Sequence, residues 1–396
     1  MLKGISTKGT NIGNIDFIEA EWDRKWSACG EFMVYLPLAE YMRLTNENIK
    51  YVENVGRTEL GVIQKIEYEK KISGAYVTIS GYFIENFLDF LSYRRTAVIS
   101  AETSAAVKTA ITSYISKAAA GVTVGSKTYK PISAVKIDAT SVFPPEVDIS
   151  IDNGTQAGEG VYNALSGTGY SVRVSMDSFP QSEGDLIGVK VRFINGKIKT
   201  SGDAAVFFGK AYNNVSNITY TLDESAERCL YEIIQEVDAQ YYSAFSTTYF
   251  PIKFSEKIDG EAHYFIGCTY VYAKNRPAGL GDIYPKKVLE TSISSEEADL
   301  TVTTAANQKK ISNLMKKKAQ LDMLDFYKIE TISVDVIQEK FVYLLDYDIG
   351  DTCIVQIDDI EQQYTARIEE VRETHKSNRI EVKLILGTPV KQKYRK

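Results

Sequence analysis

Alternation of apolar and polar residues dominates this chain and is clearest towards its C-terminus. There Cys353, Val355 and Ile357 alternate with Thr352, Ile354 and Gln356, and Tyr364, Ala366 and Ile368 repeat the pattern. Ile380, Val382, Leu384 and Leu386 give the cleanest strand of the sequence. A period of two places such residues on one face of a half-buried strand. The N-terminal block reads the same way. Residues 15–22 alternate weakly, 30–37 form a strand stopped by Pro37, and 49–53, 60–68 and 75–81 follow at short spacing. In the last of these, Ala75, Val77 and Ile79 share one face. Phe87, Leu88 and Leu91 then fall at helical spacing and predict a short helix over 84–91. Five strands with short connections point to a small antiparallel barrel or sandwich.

The middle of the chain changes period. Ser100 is placed to cap a helix over 101–119, whose Val107, Ala110, Ile111, Tyr114 and Ala118 form one apolar stripe. Strands over 132–137 and 147–151, a short helix over 158–165, and strands over 170–176 and 187–194 follow. Asn195-Gly196 is a hairpin signal. Strands return at 204–208, 218–222, 229–237 and 263–273. A long helix over 305–326 interrupts them, with Ile311, Leu314, Met315, Leu321 and Leu324 on its buried side. Its lysines, Lys309, Lys310, Lys316, Lys317 and Lys318, read as a solvated face in preference to a phosphate-binding patch.

These patterns predict an α+β, mainly β chain. Residues 1–97 form a first β-barrel-like module with a short helix, and 98–202 an α+β middle domain. Residues 203–390 form a second β-barrel-like module carrying the helical insertion, and 391–396 a basic tail. A length of 396 residues accommodates roughly two to three domains.

Composition narrows the function. A net charge of −6 argues against a general nucleic-acid binder, yet it does not exclude a protein past which DNA must slide without being held. The 26 tyrosines, against 2 tryptophans and 2 histidines, favour half-buried strands and subunit interfaces. Cys29, Cys229, Cys268 and Cys353 show no paired spacing, so zinc is not expected. The last three stand in apolar runs as buried thiols. No run approaches the ~18 apolar residues of a membrane span, and the N-terminus lacks a signal-peptide core. A soluble protein folding in the cytoplasm is the expectation.

Candidate chemistry is sparse. Phosphate-loop and nucleophile-elbow patterns are absent. His263 and His375 lie far apart and read as strand histidines. Asp346, Asp348 and Asp351 resemble the start of a calcium loop, but further ligands are missing and Gly350 is out of register; a turn entering a strand is favoured. Glu67/Glu69 and Asp358/Asp359 are the carboxylate pairs a glycosidase would need, although Glu67 and Glu69 share a strand face with Lys65. The sequons at Asn153, Asn214 and Asn217 mean little without a secretory signal. No catalytic, cofactor-binding or metal residue is predicted.

One resemblance joins the two ends. Trp26, Gly30-Glu-Phe, Leu36-Pro37, Gly61-Val-Ile-Gln-Lys-Ile66, Thr78-Ile-Ser-Gly-Tyr82 and Asn86-Phe-Leu-Asp-Phe-Leu-Ser-Tyr-Arg-Arg95 occur in that order. Asp346-Tyr-Asp-Ile-Gly-Asp-Thr-Cys-Ile-Val355 and Ala366-Arg-Ile-Glu-Glu-Val371 follow near the C-terminus. Together they resemble the tail hub proteins of long-tailed bacteriophages, the siphophage tail-tip family related to baseplate hubs. The resemblance implies a homotrimer in which each subunit gives two tube-protein-like β-barrels, matching a six-fold tube to a three-fold tip. It implies a channel for DNA ejection, and as partners a distal tail or tail-tube protein, tail-tip or fibre proteins and a tape measure protein. Specific nucleic-acid binding, stable membrane insertion and enzymatic activity are not implied. The site would be the virion tail tip, assembled in the host bacterial cytoplasm. The alternative is a tail-tip module that binds or hydrolyses cell-wall glycan.

Overall fold

The computed structural model describes residues 1–223, 228–272, 284–295, 297–323, 329–376 and 379–387. The N-terminal block contains β1 (Leu2–Ser6), β2 (Asn11–Asn14), β3 (Glu19–Lys25), β4 (Glu31–Pro37), α1 (Leu38–Asn46), β5 (Ile49–Asn54), β6 (Leu60–Val62), β7 (Lys65–Lys71) and β8 (Gly74–Tyr82). Strands β2-β1-β5-β6 make one small sheet, while β3, β4, β8 and β7 run side by side in a larger one. The alternation on β4 buries Phe32, Val34 and Leu36, and that on β8 buries Val77 and Ile79. These pack against Leu2, Val52 and Leu44 to form a core between the two sheets. The run 60–68, expected as one strand, is divided between them. Gly81 permits the crossing, since a side chain there would collide with the Val62 carbonyl.

The middle block contains β9 (Ala97–Ala101), α2 (Ser104–Ala118), β10 (Val122–Val124), β11 (Lys127–Tyr129), β12 (Ser133–Ile137), β13 (Val147–Ile151), α3 (Ala157–Leu165), β14 (Tyr170–Ser178) and β15 (Ile187–Asn195). The helix expected from 101 starts at Ser104, because Ala97–Ala101 pair with β13. Its cap is Thr103, not Ser100: the Thr103 hydroxyl accepts from Ala106 N at 3.2 Å. Val107, Ile111 and Tyr114 pack with Val172, Val191 and Phe193, and with Ile84 and Leu88 of the 3-10 turn Ile84–Phe90. Asn195-Gly196 does not form the expected hairpin. Strand β15 already pairs with β14 and β12, and the glycine is needed because Gly196 abuts the Gly350 carbonyl.

The C-terminal block contains β16 (Phe207–Phe208), β17 (Val215–Asp223), β18 (Leu230–Val237), α4 (Ala239–Tyr242), β19 (Ile252–Ile258), β20 (Glu261–Val271), β21 (Lys286–Thr291), α5 (Ala305–Asp322), β22 (Ile329–Val336), β23 (Thr352–Ile357), β24 (Gln362–Lys376) and β25 (Arg379–Gly387). The insertion is larger than the helix alone. Strands β19-β20-β18-β21 form their own sheet, covered by Ile311, Leu314 and Met315 of α5. They leave the chain between β17 and β22, which pair with each other. An apolar run such as 229–237 looks the same in either sheet, so its partner was not legible. Leu321 is only half-buried. Leu324, the expected helix end at 324–326, Ala273 and the tail 391–396 lie outside the described residues.

One ten-stranded sheet unites the ends of the chain, with path β17-β22-β25-β24-β3-β4-β8-β7 and β16 and β23 alongside. Strand β24 is the link. Its first part pairs with β23; beyond a bulge between Ile368 and Glu370, the same edge pairs with β3. The expected α+β, mainly β class is borne out, with the strands arranged in several largely antiparallel sheets where two barrel modules were expected. Hydrogen bonding closes none of these sheets into a barrel among the described residues. Among those residues no helix is long and apolar enough to cross a membrane.

Candidate functional site: an ionic junction within the shared sheet

Residues paired directly across antiparallel strands point to the same side. The pairs Ala20↔His375, Trp22↔Glu373 and Arg24↔Val371 therefore share one face. Trp22 belongs to the N-terminal core and Val371 to the C-terminal core, so both cores lie on this face. Between them sits a layer of buried charge. Arg24 donates from Nε to Glu59 Oε1 at 2.8 Å, from a terminal nitrogen to Asp348 Oδ1 at 2.7 Å, and to the Tyr343 hydroxyl. Arg57 donates to both oxygens of Glu373, the first at 2.7 Å. Both guanidiniums lie over the Tyr343 ring, at 5.9 and 5.4 Å from its centre. His375 Nε2 stands 3.5 Å from Glu373 and 3.4 Å from the Asn54 amide nitrogen.

The middle block reaches the same layer through Arg173 of β14 and Glu85 of the 3-10 turn. Arg173 is 3.6 Å from Glu59 and 3.8 Å from Glu85, with its guanidinium 5.6 Å over the Trp26 ring. Burial pushes Glu59 upward, but Arg24 and Arg173 outweigh it and hold Glu59 below the usual carboxylate range. Glu373 is likewise held low: its burial is outweighed by His375 and Arg57. Glu85 lacks such close partners, and burial raises it to about 7 against the pull of Arg173.

On the opposite face of β3 and β24, Arg372 bridges Asp23 at 3.1 Å and Glu370 at 3.0 Å. Burial and the Glu370 charge raise Asp23 to about 7. Glu369, the extra residue of the bulge, accepts from the Ser27 hydroxyl at 3.2 Å, and its carbonyl accepts from Trp26 N at 2.8 Å. Burial raises it, too, to about 7. Trp26 lies against Gly350, whose φ of +87° belongs to the turn that starts β23. The chemistry here is that of a clamp: fixed charges tie three blocks to one strand pair.

Of the acidic and histidine candidates singled out from sequence, Asp348 and His375 enter this clamp. In the acidic turn, Asp346 accepts from Val342 N at 2.7 Å, Asp348 pairs with Arg24, and Asp351 accepts from Lys197 N at 2.9 Å and Asp348 N at 3.1 Å. Each carboxylate serves the turn, and no cluster of three or more metal-ligating side chains occurs among the described residues. Glu67 and Glu69 lie on exposed β7, each 2.8 Å from Lys65 or Lys71. Asp358 accepts from Ala211 N, and Asp359 faces Lys210. His263 pairs with Glu236 at 2.6 Å, away from His375 in the junction. All four cysteines are buried. Asn214 is wholly buried, its amide serving Phe207 O and Gly209 N. Lys317 pairs with Asp148 at 2.5 Å and Lys318 with Asp152 at 3.0 Å, which fastens the insertion to the middle block. Sequence reading missed Arg24, Arg57, Glu59, Glu85, Arg173 and Glu373. A signal existed for two: Arg24 follows Trp22, and Glu373 follows Val371, at the inward register of their strands.

A chain with this arrangement of sheets has the fold of a phage tail protein. It aligns with a tail protein from Neisseria meningitidis MC58 over 100% of this chain and 99% of that one, at 12% identity and a TM-score of 0.50. It is also similar to the prophage MuSo2 43 kDa tail protein from Shewanella oneidensis (11% identity, 98% of each chain, TM-score 0.47). Prophage tail protein gp18 from Listeria monocytogenes EGD-e is a third likeness (11% identity, 98% of this chain and 94% of that one, TM-score 0.46). In sequence, residues 286–388 match the family described as Siphovirus ReqiPepy6 Gp37-like protein. The resemblance to siphophage tail proteins read from the sequence is met on both counts. No curated protein matches the chain.

Proposed function

We propose that this chain is a structural subunit of a phage or prophage tail tip, forming a trimeric hub at the distal end of the tail tube. The observation that carries this reading is the shared sheet. Strand-rich modules from the two ends of the chain are fused edge to edge by β24 and β3 and locked by buried ion pairs. Two such modules per chain, in three copies, supply six similar units to meet a six-fold tube. The uncovered face of the sheet is polar. It presents Glu19, Glu21, Glu31, Glu67, Glu69 and Glu381 among interleaved lysines. Together with the net charge of −6, such a surface suits a channel lining that lets DNA pass without holding it. Distal tail or tube protein, tip or fibre protein and tape measure protein are the partners this position requires. A glycan-hydrolysing role is not favoured, because Glu67 and Glu69 are ion-paired on an open strand.

Deleting the coding sequence from a producing strain tests the reading. The expected result is particles lacking a formed tail tip or tail, restored by supplying the chain in trans. Morphologically complete, infectious particles without it would overturn the proposal.

A further inference from the structure

The long sheet ends in two unlike edges, β7 and β17, each paired on one side only among the described residues. Strand β7 exposes every residue, and Ile66 and Tyr68 are 53% and 60% exposed. Their cross-strand partners Ile79 and Val77 are buried in the N-terminal core, so the apolar side of β7 overhangs that core uncovered. Strand β17 is a nine-residue edge of Val, Ser, Asn, Ile, Thr, Tyr, Thr and Leu with no charge before Asp223. Ile218 and Tyr220 face its own core, and Thr219 and Thr221 the polar side. An uncharged edge of this length lacks the devices that block strand addition.

We infer that β7 of one copy pairs antiparallel with β17 of the next, continuing the sheet from subunit to subunit. This rests on the hub reading and specifies its contact. Direction agrees: each pairing along the path from β17 to β7 is antiparallel, and the seven together leave the two edges running oppositely. A copy rotated about an axis along the strands therefore meets its neighbour in antiparallel fashion. Charge agrees as well. A symmetric β7–β7 pair centred on Tyr68 would set Lys65 against Lys71 and Glu67 against Glu69 of the other copy, like against like. Uncharged β17 opposes β7 with no such conflict, and Ile218 and Tyr220 then extend the strip of Ile66 and Tyr68. A head-to-tail contact of this kind closes into a ring when its rotation allows.

Cysteine cross-linking tests the contact, since the four native thiols are buried. A Glu67→Cys chain is mixed under oxidising conditions with a Thr219→Cys or Thr221→Cys chain, all exposed positions on the polar side. Disulfide-linked dimers that need both partners are expected, and Tyr68→Asp should reduce them at least tenfold while leaving the unfolding midpoint unchanged. Oligomers that form without this cross-link, linkage of Thr219→Cys to itself, or a chain monomeric at its highest soluble concentration would each overturn the pairing. Particle formation decides the hub reading separately, so complete tail tips without this cross-link would overturn the pairing and leave the hub standing.

Discussion

Arg57 holds the wholly buried carboxylate of Glu373 with two nitrogens, tying the loop after β5 to the strand that joins the two halves of the sheet. Removing Arg57 strands the Glu373 charge in a buried layer. Arg57→Ala is expected to cost about 3–5 kcal/mol in denaturant unfolding. Replacing both residues with leucines should recover most of that loss, because the desolvation of Glu373 disappears with its charge.

The junction also sets the response to pH. Asp23, Glu85 and Glu369 are raised to about 7, so between the ordinary carboxylate value and 7 the folded chain binds more protons than the unfolded one. Stability falls as pH rises through that window and levels off above it. Glu59 and Glu373, held low, act in the opposite sense: their contribution is present above the ordinary value and is lost as pH falls through their folded values. Unfolding midpoints should therefore be highest on the acid side of neutral. Glu85→Gln should flatten the decline across that window, up to about pH 7; an unchanged slope would exclude Glu85 as a contributor.

At the turn before β23, Gly350 combines φ of +87° with contact against the Trp26 ring. Gly350→Ala adds both backbone strain and a steric clash. Thermal and denaturant unfolding should show a loss of about 2–4 kcal/mol.

The same turn distinguishes a structural from a metal-binding role for its aspartates. Asp351 accepts from two backbone N–H groups, so Asp351→Ala should cost about 1–3 kcal/mol. Adding calcium should leave the unfolding midpoint of the native chain unmoved; a calcium-dependent rise would make the turn a cation site.

Local pattern carried much of the fold. Strands β4, β8 and β25 appear where period-two alternation put them, and the positive φ of Gly350 was legible from its place beside Asp351. Pairing was not legible. The partnership of β24 with β3 joins residues some 350 positions apart, as Glu19↔Lys376 shows, and nothing local in either strand names the other. The run 60–68 looked continuous because the break depends on the Val62 carbonyl meeting Gly81 from another strand. The ionic junction was hidden for a related reason. Arg57 and Glu59 sit in a connecting loop, where charge ordinarily means solvent, and only the closing of three blocks over them makes them interior.

Cryo-electron imaging of intact particles measures both position and copy number at the tail tip. A trimeric hub requires three copies at the distal end of the tube, with the ten-stranded sheet turned towards the channel. A chain found along the tube shaft, on the capsid, or absent from the particle would contradict it.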